Sequence, residues 1–247
     1  MATIDLNADL GEGDAYDQEL LQVVSSCNIA CGGHAGDAAS MQLTTGLAIA
    51  NEVAIGAHPG YPDVAGFGRR KRFLAGRELQ KSIASQIDTL MTIVQRAGGT
   101  LHHVKPHGAL YSEAVRDESI AALIVLAVQA VSGGAAIVGP PQSALQRLAG
   151  EAGIRFIGEA FVDRVYRPDG TLLPRSEPGA VHTDINTITA QAVSLACRGI
   201  VTAQNGAAVS ITAETLCMHG DTPNAGLVAR AVRDVLQANG VSIRAVH

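Results

Sequence analysis

Tryptophan is absent from this sequence, and the aromatic residues are limited to four Tyr and four Phe. Charged residues are also scarce, at 17% of the chain against a usual ~25%, and the 23 acidic residues outnumber the 18 basic ones. Nucleic-acid-binding proteins rely on basic surfaces and aromatic stacking, so this composition argues against that class of function. The 47% of hydrophobic residues in a 247-residue chain instead predicts a globular protein with a well-buried core.

Long apolar runs are missing as well. The longest uncharged stretch, residues 119–146, holds only nine consecutive apolar residues, whereas a membrane-spanning helix needs about 20. The first residues lack the basic and apolar regions of a signal peptide, so we expect a cytoplasmic protein with no membrane and no nucleic-acid partner. The four cysteines form no CxxC pair, and in that compartment we expect them to be reduced, with Cys27 and Cys31 as small buried residues.

A phosphate-binding P-loop is excluded because the pattern GxxxxGK[ST] does not occur. The segment Gly66–Arg72 nevertheless places two glycines before four consecutive cations, which suits the binding of anionic oxygens. A solvated surface loop is the alternative interpretation. Arg69 and Arg70 are therefore candidates for binding phosphate or substrate, and Arg164, in the long non-periodic segment 159–182, is a further candidate.

Short β-prone runs alternate with helical patterns along the chain, which is typical of βαβ units around a parallel sheet. The clearest runs are Ile4 to Ala8, Cys27 to Ala30, Val53 to Ala57, Leu101 to Lys105, Ala135 to Val138, Arg155 to Ile157 and Thr212 to Met218. We predict an α/β fold in which residues 1–247 form a single domain, an irregular (β/α) barrel with about seven parallel strands. An open, doubly wound sheet is the alternative.

Four histidines follow predicted strands and stand beside glycines: His34, His58, His107 and His219. Ligands of barrels and open α/β sheets bind at the carboxyl ends of the strands. One histidine there would most simply be structural, but four at equivalent positions predict a shared pocket. His102 and His103 are neighbours within a strand and point to opposite faces, so we expect them to be structural.

Carboxylates accompany these histidines at or just beyond the strand ends: Asp9, Glu12, Asp37, Glu159 and Asp221. One chemistry open to such a set is hydrolysis assisted by a divalent metal ion, for which Asp9, His34 and His58 are candidate ligands. The other is metal-free acid/base catalysis with Lys105 stabilising an oxyanion. The lack of an HxH or HExxH motif weakens the metal alternative without excluding it.

Lys105 is one of only three lysines and lies near a strand end. An electrophilic or Schiff-base role and a simple ion pair with a nearby carboxylate both remain open for it. Cys31, before Gly32 and Gly33, is a weaker candidate for a nucleophile because nothing in the sequence marks it as activated.

Longer motifs carry a family resemblance: Asp5 to Glu12, Asn28 to Asp37, Gly56 to Asp63 followed by Gly66 to Arg70, His103 to Tyr111, Glu159 to Arg164 and Cys217 to Asp221. With them the chain resembles the LamB/YcsF family from its first strand to its last helix. The resemblance implies a barrel of the glycoside hydrolase/deacetylase kind and an ATP-dependent ring opening of 5-oxoproline (pyroglutamate) to L-glutamate. It also implies ATP with Mg²⁺ as cofactor, and separate 5-oxoprolinase subunits B and C as partners.

Within this hypothesis the site residues are chosen for their position at or near the strand ends. The catalytic residues are then expected to be Asp9, His34, His58, Lys105, His107 and His219. Asp9 and one of these histidines would activate water, while Lys105 would stabilise developing negative charge. The residues expected to bind substrate or phosphate are Asn7, Glu12, Asp37, Arg69, Arg70, Glu159, Arg164 and Asp221. Two alternatives stay open, a metal-dependent deacetylase or amidohydrolase that acts alone on a small amide, and a non-catalytic binding subunit.

Overall fold

Parallel strands and amphipathic helices alternate through the computed structural model, which describes residues 2–221 and 224–246. The strands are β1 (Ala2–Leu10), β2 (Ser26–Ala30), β3 (Ala54–His58), β4 (Leu101–Val104), β5 (Ala136–Gly139), β6 (Phe156–Phe161), β7 (Ile200–Thr202), β8 (Ala208–Ser210), β9 (Thr215–Met218) and β10 (Val241–Ile243). The helices are α1 (Asp17–Leu21), α2 (Ala38–Ala50), α3 (Gly76–Arg96), α4 (Gly108–Glu113), α5 (Glu118–Val131), α6 (Ala144–Glu151), α7 (Ile185–Arg198) and α8 (Ala225–Ala238).

Seven of these strands close into a barrel in the order β1-β2-β3-β4-β5-β6-β9, all of them parallel. Closure depends on β1, because Asn7 pairs with Ser26 of β2 on one side and Asp5 pairs with Thr215 of β9 on the other. Strand β10 continues the sheet beside the first residues of β1, while β7 and β8 form an antiparallel pair of their own. The predicted seven-stranded irregular (β/α) barrel is therefore confirmed.

The helices cover the barrel with apolar faces set by sequence spacing. In α3, five residues at intervals of four, four, three and four are each at most 2% exposed: Leu79, Ile83, Ile87, Leu90 and Val94. Aspartate side chains cap the amino ends of α2, α5 and α7, accepting hydrogen bonds from backbone N–H groups that have no partner within the helix. No helix in the described ranges is both long and apolar enough to cross a membrane.

Two predicted strand boundaries were wrong by three residues or more. Strand β6 extends to Phe161 because Phe161 still pairs with Cys217 of β9, so Glu159 lies inside the barrel wall and not in a loop. Strand β9 begins at Thr215, the first residue opposite β1, and not at Thr212. Strands β7, β8 and β10 were not predicted because three residues are too few to show a periodic pattern.

The barrel interior is polar beneath its carboxyl end. Asn28 Nδ2 donates to Asn7 Oδ1 and to Asp9 Oδ1, each at 2.8 Å. Asn28 Oδ1 accepts from His103 Nε2 at 2.7 Å, and Asn7 Nδ2 donates to Thr215 Oγ1 at 2.7 Å. These groups are all buried, so each hydrogen bond offsets a desolvation cost and fixes its side chain. The site therefore rests on a rigid floor, to which Asn7 and His103 contribute structurally.

Candidate active site

An open cleft of about 1320 Å³ lies at the carboxyl ends of the barrel strands. Most of the residues expected from the sequence line it: Asp9, Glu12, Arg69, Arg70, Lys105, His58, His107, Glu159, Arg164, His219 and Asp221. They come from β1, β3, β6 and the segments that follow β1, β3, β4, β6 and β9. The expected meeting of distant strand ends in one pocket is thus seen in the structure.

Three histidines and one carboxylate form a tight group at the inner wall of this cleft, and we call Glu12, His34, His58 and His107 the Glu/His cluster. One potential ligand atom from each lies within 4.8 Å of all the others. Glu12 Oε1 is 2.8 Å from His34 Nε2, 3.7 Å from His58 Nε2 and 3.3 Å from His107 Nδ1. The cluster differs from the metal candidates predicted from sequence, because Glu12 and His107 take part and Asp9 lies at its edge.

A glycine makes the close approach of two of these histidines possible. The rings of His34 and His107 stack at 3.5 Å, and Gly68 lies against them with a φ of +59°. A Cβ at Gly68 would come within 2.8 Å of His34 Cβ and 3.0 Å of His107 Cδ2. Only glycine combines this backbone conformation with the available space. The glycine that precedes the basic run therefore allows the two histidines to pack against this loop.

Lys105 is the central cation of the site. Its side chain is 2% exposed, and Nζ lies 2.9 Å from Asp9 Oδ1 and 2.8 Å from Glu159 Oε1. Nζ also lies 3.1 Å from Cys217 Sγ. Burial alone would lower the pKa of Lys105, but Asp9, Cys217 and Glu159 outweigh it and hold that pKa well above its usual value. A Schiff base needs a neutral amine, so of the two alternatives left open by the sequence the structure favours the ion pair.

Burial and neighbouring charges shift the pKa values of the ionisable groups around Lys105 in different directions. Burial acts to raise the pKa of Asp9, but His58 and Lys105 hold it well below its usual range. Burial acts to lower the pKa of His58, and contact with Asp9 Oδ2 at 3.3 Å raises it instead. Burial raises the pKa of Glu12 to about 7 and lowers that of His34 to about 2. Burial and the nearby His58 also lower the pKa of His107.

His219 stands apart from the other three histidines and contacts a different carboxylate. Its Nδ1 lies 2.8 Å from Asp163 Oδ2, and its backbone N–H donates to the same oxygen at 3.0 Å. Its ring stacks on Phe161 at 5.3 Å. Burial acts to raise the pKa of Asp163, and the nearby His219 lowers it overall. Asp163 was missed in the sequence, although it belongs to the segment directly after β6.

Charged residues at the mouth of the cleft pair with one another. Asp221 Oδ2 accepts from Arg69 Nη2 at 3.1 Å and from Arg175 Nη1 at 2.5 Å. Arg70 is exposed beside them. Arg175 belongs to the segment after β6, residues 163–182, which we call the lid segment. This group is the part of the cleft best suited to an anionic ligand.

Besides Asn7, two expected binding residues have other contacts in the structure. Arg164 is buried, and its guanidinium donates to the carbonyls of Leu173 and Ala180, which holds the lid segment in place. Asp37 is exposed and caps α2 in a reciprocal capping box with Ser40, outside the cleft. Its position directly before a helix was the signal for capping.

Cys31 is buried, and two cations of the basic run pair with carboxylates of this chain. Burial raises the pKa of the Cys31 thiol to about 12, so it is not an activated nucleophile. In the basic run, Lys71 Nζ lies 3.3 Å from Glu113 Oε1, and Arg72 Nη2 lies 3.4 Å from Asp63 Oδ1. Those two cations are therefore engaged by carboxylates of this chain.

These features place the chain among the (β/α)-barrel proteins whose ligand cleft lies at the carboxyl ends of the strands. The family model of LamB/YcsF matches residues 4–247, and the chain belongs to the LamB/YcsF family.

Similar proteins cover the chain almost completely. A protein from Heliobacterium modesticaldum, named as the A subunit of 5-oxoprolinase, is 47% identical over 247 residues, covering 98% of this chain and 97% of its own length. A protein of the same name from Streptomyces griseus is 46% identical, covering 98% and 99%. The crystal structure of a lactam utilization protein from Thermus thermophilus superposes with a TM-score of 0.91 at 43% identity, covering 99% of this chain and 100% of that one.

Proposed function

We propose that this chain is the A subunit of a multi-subunit 5-oxoprolinase, with a part in the ATP-dependent hydrolysis of 5-oxoproline to L-glutamate. The observation that carries the proposal is the 47% identity, over 98% of the chain, to a protein named as that subunit. The partners are then subunits B and C of the same enzyme. The cleft supports the proposal because it combines a buried cation, ionised carboxylates and an Asp–His pair, the groups that amide hydrolysis needs.

The difficulty of the reaction lies in the lactam, which is stabilised by the same resonance that makes a peptide bond planar. In the proposed reaction, transfer of the terminal phosphoryl group of ATP to the lactam oxygen weakens this resonance and releases ADP. Water then adds to the ring carbon, and the ring C–N bond breaks as the nitrogen takes up a proton. A second water hydrolyses the resulting acyl phosphate to glutamate and phosphate.

His219 has the geometry of the acid/base group in this sequence. Its Nδ1 lies against Asp163 and its ring lines the cleft, so a proton held on Nδ1 leaves Nε2 free to accept one from water. The same nitrogen can then deliver that proton to the ring nitrogen. Lys105, held by Asp9 and Glu159, supplies a fixed positive charge near the developing oxyanion.

Arg69 and Arg175 have the geometry to hold the anionic part of the ligand. Both share the single carboxylate of Asp221, so a ligand carboxylate or phosphate can take its place without either guanidinium moving far. Arg70 adds a third positive charge at the mouth of the cleft. These arginines are also the groups of this chain best suited to bind the phosphates of ATP·Mg²⁺. ATP would supply the phosphoryl group.

The experiment is an assay of glutamate and ADP release from 5-oxoproline and Mg-ATP, with the chain alone and with subunits B and C added. We expect coupled release only with the partners present. His219→Gln should lower the rate by about 100-fold, the usual contribution of a general acid or base. The matched control is His182→Gln in the lid segment, which should retain the full rate. No release with partners of proven competence would refute the proposal.

A second function is favoured by one specific observation, the Glu/His cluster. Such a set of side chains suits a metal-dependent deacetylase or amidohydrolase that acts alone on a small amide. Hydrolysis of small cyclic or acetylated amides by the isolated chain, without ATP and abolished by chelation, would establish this alternative in place of the first.

A further inference from the structure

The outer nitrogens of two histidines in the Glu/His cluster reveal where their protons lie. His58 Nδ1 is 2.8 Å from the carbonyl oxygen of Lys105, and His107 Nε2 is 2.9 Å from the carbonyl oxygen of Phe67. A carbonyl oxygen only accepts hydrogen bonds, so both of these outer nitrogens carry protons. In a neutral imidazole the other nitrogen then has a lone pair. His107 Nδ1 therefore directs a lone pair into the cluster, and His58 Nε2 does the same when its ring is neutral.

The two nitrogens that face the cluster lie close to each other. His58 Nε2 and His107 Nδ1 are 3.0 Å apart, and Glu12 Oε1, another acceptor, is 3.3 Å from His107 Nδ1. His34 Nε2 approaches the same oxygen at 2.8 Å. All three histidines are buried, and the Glu12 side chain is only 9% exposed, so water does not separate these atoms. Converging acceptors repel one another unless a cation lies among them.

The spacing suits a metal ion. Zinc binds histidine nitrogens at about 2.0–2.1 Å in tetrahedral sites, which places neighbouring ligand atoms about 3.3 Å apart. Four of the distances within the cluster are 2.8, 3.0, 3.3 and 3.7 Å, which bracket that value. Backbone carbonyls that hold the outer N–H groups of His58 and His107 are the usual support of metal-bound histidines.

We propose that Glu12, His34, His58 and His107 bind one divalent transition-metal ion, with zinc as the ion best suited to three imidazoles and a carboxylate. Asp9 lies at the edge of this ligand set, with its Oδ1 held by Lys105 and Asn28 and its Oδ2 3.3 Å from His58 Nε2. The proposal concerns binding by this chain itself and does not rest on the ring-opening reaction.

The test is metal binding by the full chain. After purification without chelator or affinity metal, elemental analysis should give one transition-metal ion per chain. The chain stripped with EDTA should bind Zn²⁺ with one-to-one stoichiometry in calorimetry and should give the intense visible absorption of tetrahedral Co²⁺. Added Zn²⁺ should also raise the thermal unfolding temperature of the stripped chain.

Three variants locate the site. Glu12→Gln and His107→Gln should each weaken Zn²⁺ affinity by about 100-fold or more and lose the cobalt absorption. His219→Gln is the matched control, since that histidine lines the cleft outside the cluster, and its Zn²⁺ affinity should equal that of the wild type. Circular dichroism of the stripped proteins checks that each variant is folded.

Two results would overturn the proposal. The first is a folded wild-type chain that binds none of Zn²⁺, Co²⁺, Ni²⁺ or Mn²⁺, which would make a proton the cation between His58 and His107. The second is binding that survives unchanged in both Glu12→Gln and His107→Gln. Neither result depends on glutamate release, so failure of this proposal and failure of the proposed function are distinguished.

Discussion

Replacing Lys105 with methionine removes the one cation that is buried between two carboxylates in the described part of the chain. The methionine preserves the length and apolar part of the side chain, so the change isolates the charge. Asp9 keeps its contacts with Asn28 and His58, and Glu159 keeps a hydrogen bond from Asn7 at 3.0 Å, but neither retains the ammonium. Removing one partner of a buried ion pair costs about 3 to 5 kcal/mol in the free energy of unfolding.

The Lys105→Met variant should lose this stability and still adopt the native fold. Domains are typically stable by about 5–15 kcal/mol, so the variant should still fold. For a chain of this size each kcal/mol shifts the unfolding temperature by about 2–4 °C, which gives an expected decrease of about 6 to 20 °C for Lys105→Met. Urea unfolding followed by circular dichroism at pH 8 gives the free energy directly.

The pH dependence separates a lost charge from lost packing. In the wild type the lowered pKa of Asp9 contributes stability that is present above pH 3.8 and is lost as the pH falls. Without Lys105 the pKa of Asp9 should rise, so that protonation of Asp9 removes its buried charge as the pH falls. The deficit in the free energy of unfolding of Lys105→Met relative to the wild type should therefore shrink between pH 8 and pH 5. Adding Glu159→Gln should recover about half of the deficit at pH 8. A deficit below about 1 kcal/mol, or one that is constant with pH, would refute the reasoning.

Three further substitutions test other parts of the fold. Asp17 is partly buried with one oxygen lacking a partner, and burial raises its pKa to about 6, so its ionised form destabilises the fold above that pH. Asp17→Asn should therefore raise the free energy of unfolding by about 1–2 kcal/mol at pH 8, a value reduced for the partial exposure of Asp17. The free energy of unfolding at pH 4 should be unchanged, and an equal gain at both pH values would contradict this explanation. Gly56→Ala would place a Cβ 2.1 Å from His103 Nε2 and should cost about 2 to 5 kcal/mol in urea unfolding. Its control is Gly46→Ala in α2, where nothing lies within 4 Å, and this change should stabilise by about 0.5–1 kcal/mol; equal effects of the two would show that packing against His103 is not the cause. Arg164→Met leaves two lid-segment carbonyls without their donor, so limited proteolysis read by mass spectrometry should show cleavage of that segment about tenfold faster, and an unchanged rate would contradict the assigned role.

The barrel could be predicted because strand alternation and strand-end chemistry are local patterns. Runs such as Cys27 to Ala30 carry both the β-prone residues and, shortly after them, the histidine of the site. The strand boundaries were harder to predict because they depend on pairing between strands that are far apart in sequence. Nothing local shows that Glu159 continues a strand, because that depends on β9, more than fifty residues away.

The grouping of side chains within the site was less predictable than its location. Position at strand ends identified Lys105, but its commitment to Asp9 and Glu159 depends on distances across the barrel. Asp163 was missed for the same reason, because its partner His219 follows a different strand. Asp37 shows the converse, since a carboxylate before a helix has a local role that its sequence neighbours already indicate.

Because β1 completes the barrel by pairing with β9, a strand that is synthesised early needs a partner that is synthesised much later. About 205 residues separate the end of β1 from the start of β9, and at about 5–20 residues per second their synthesis takes about 10 to 40 s. Throughout that time one edge of β1 has no partner for its backbone groups. Closure of the barrel therefore waits for the synthesis of β9 and links two parts of the chain that are far apart in sequence.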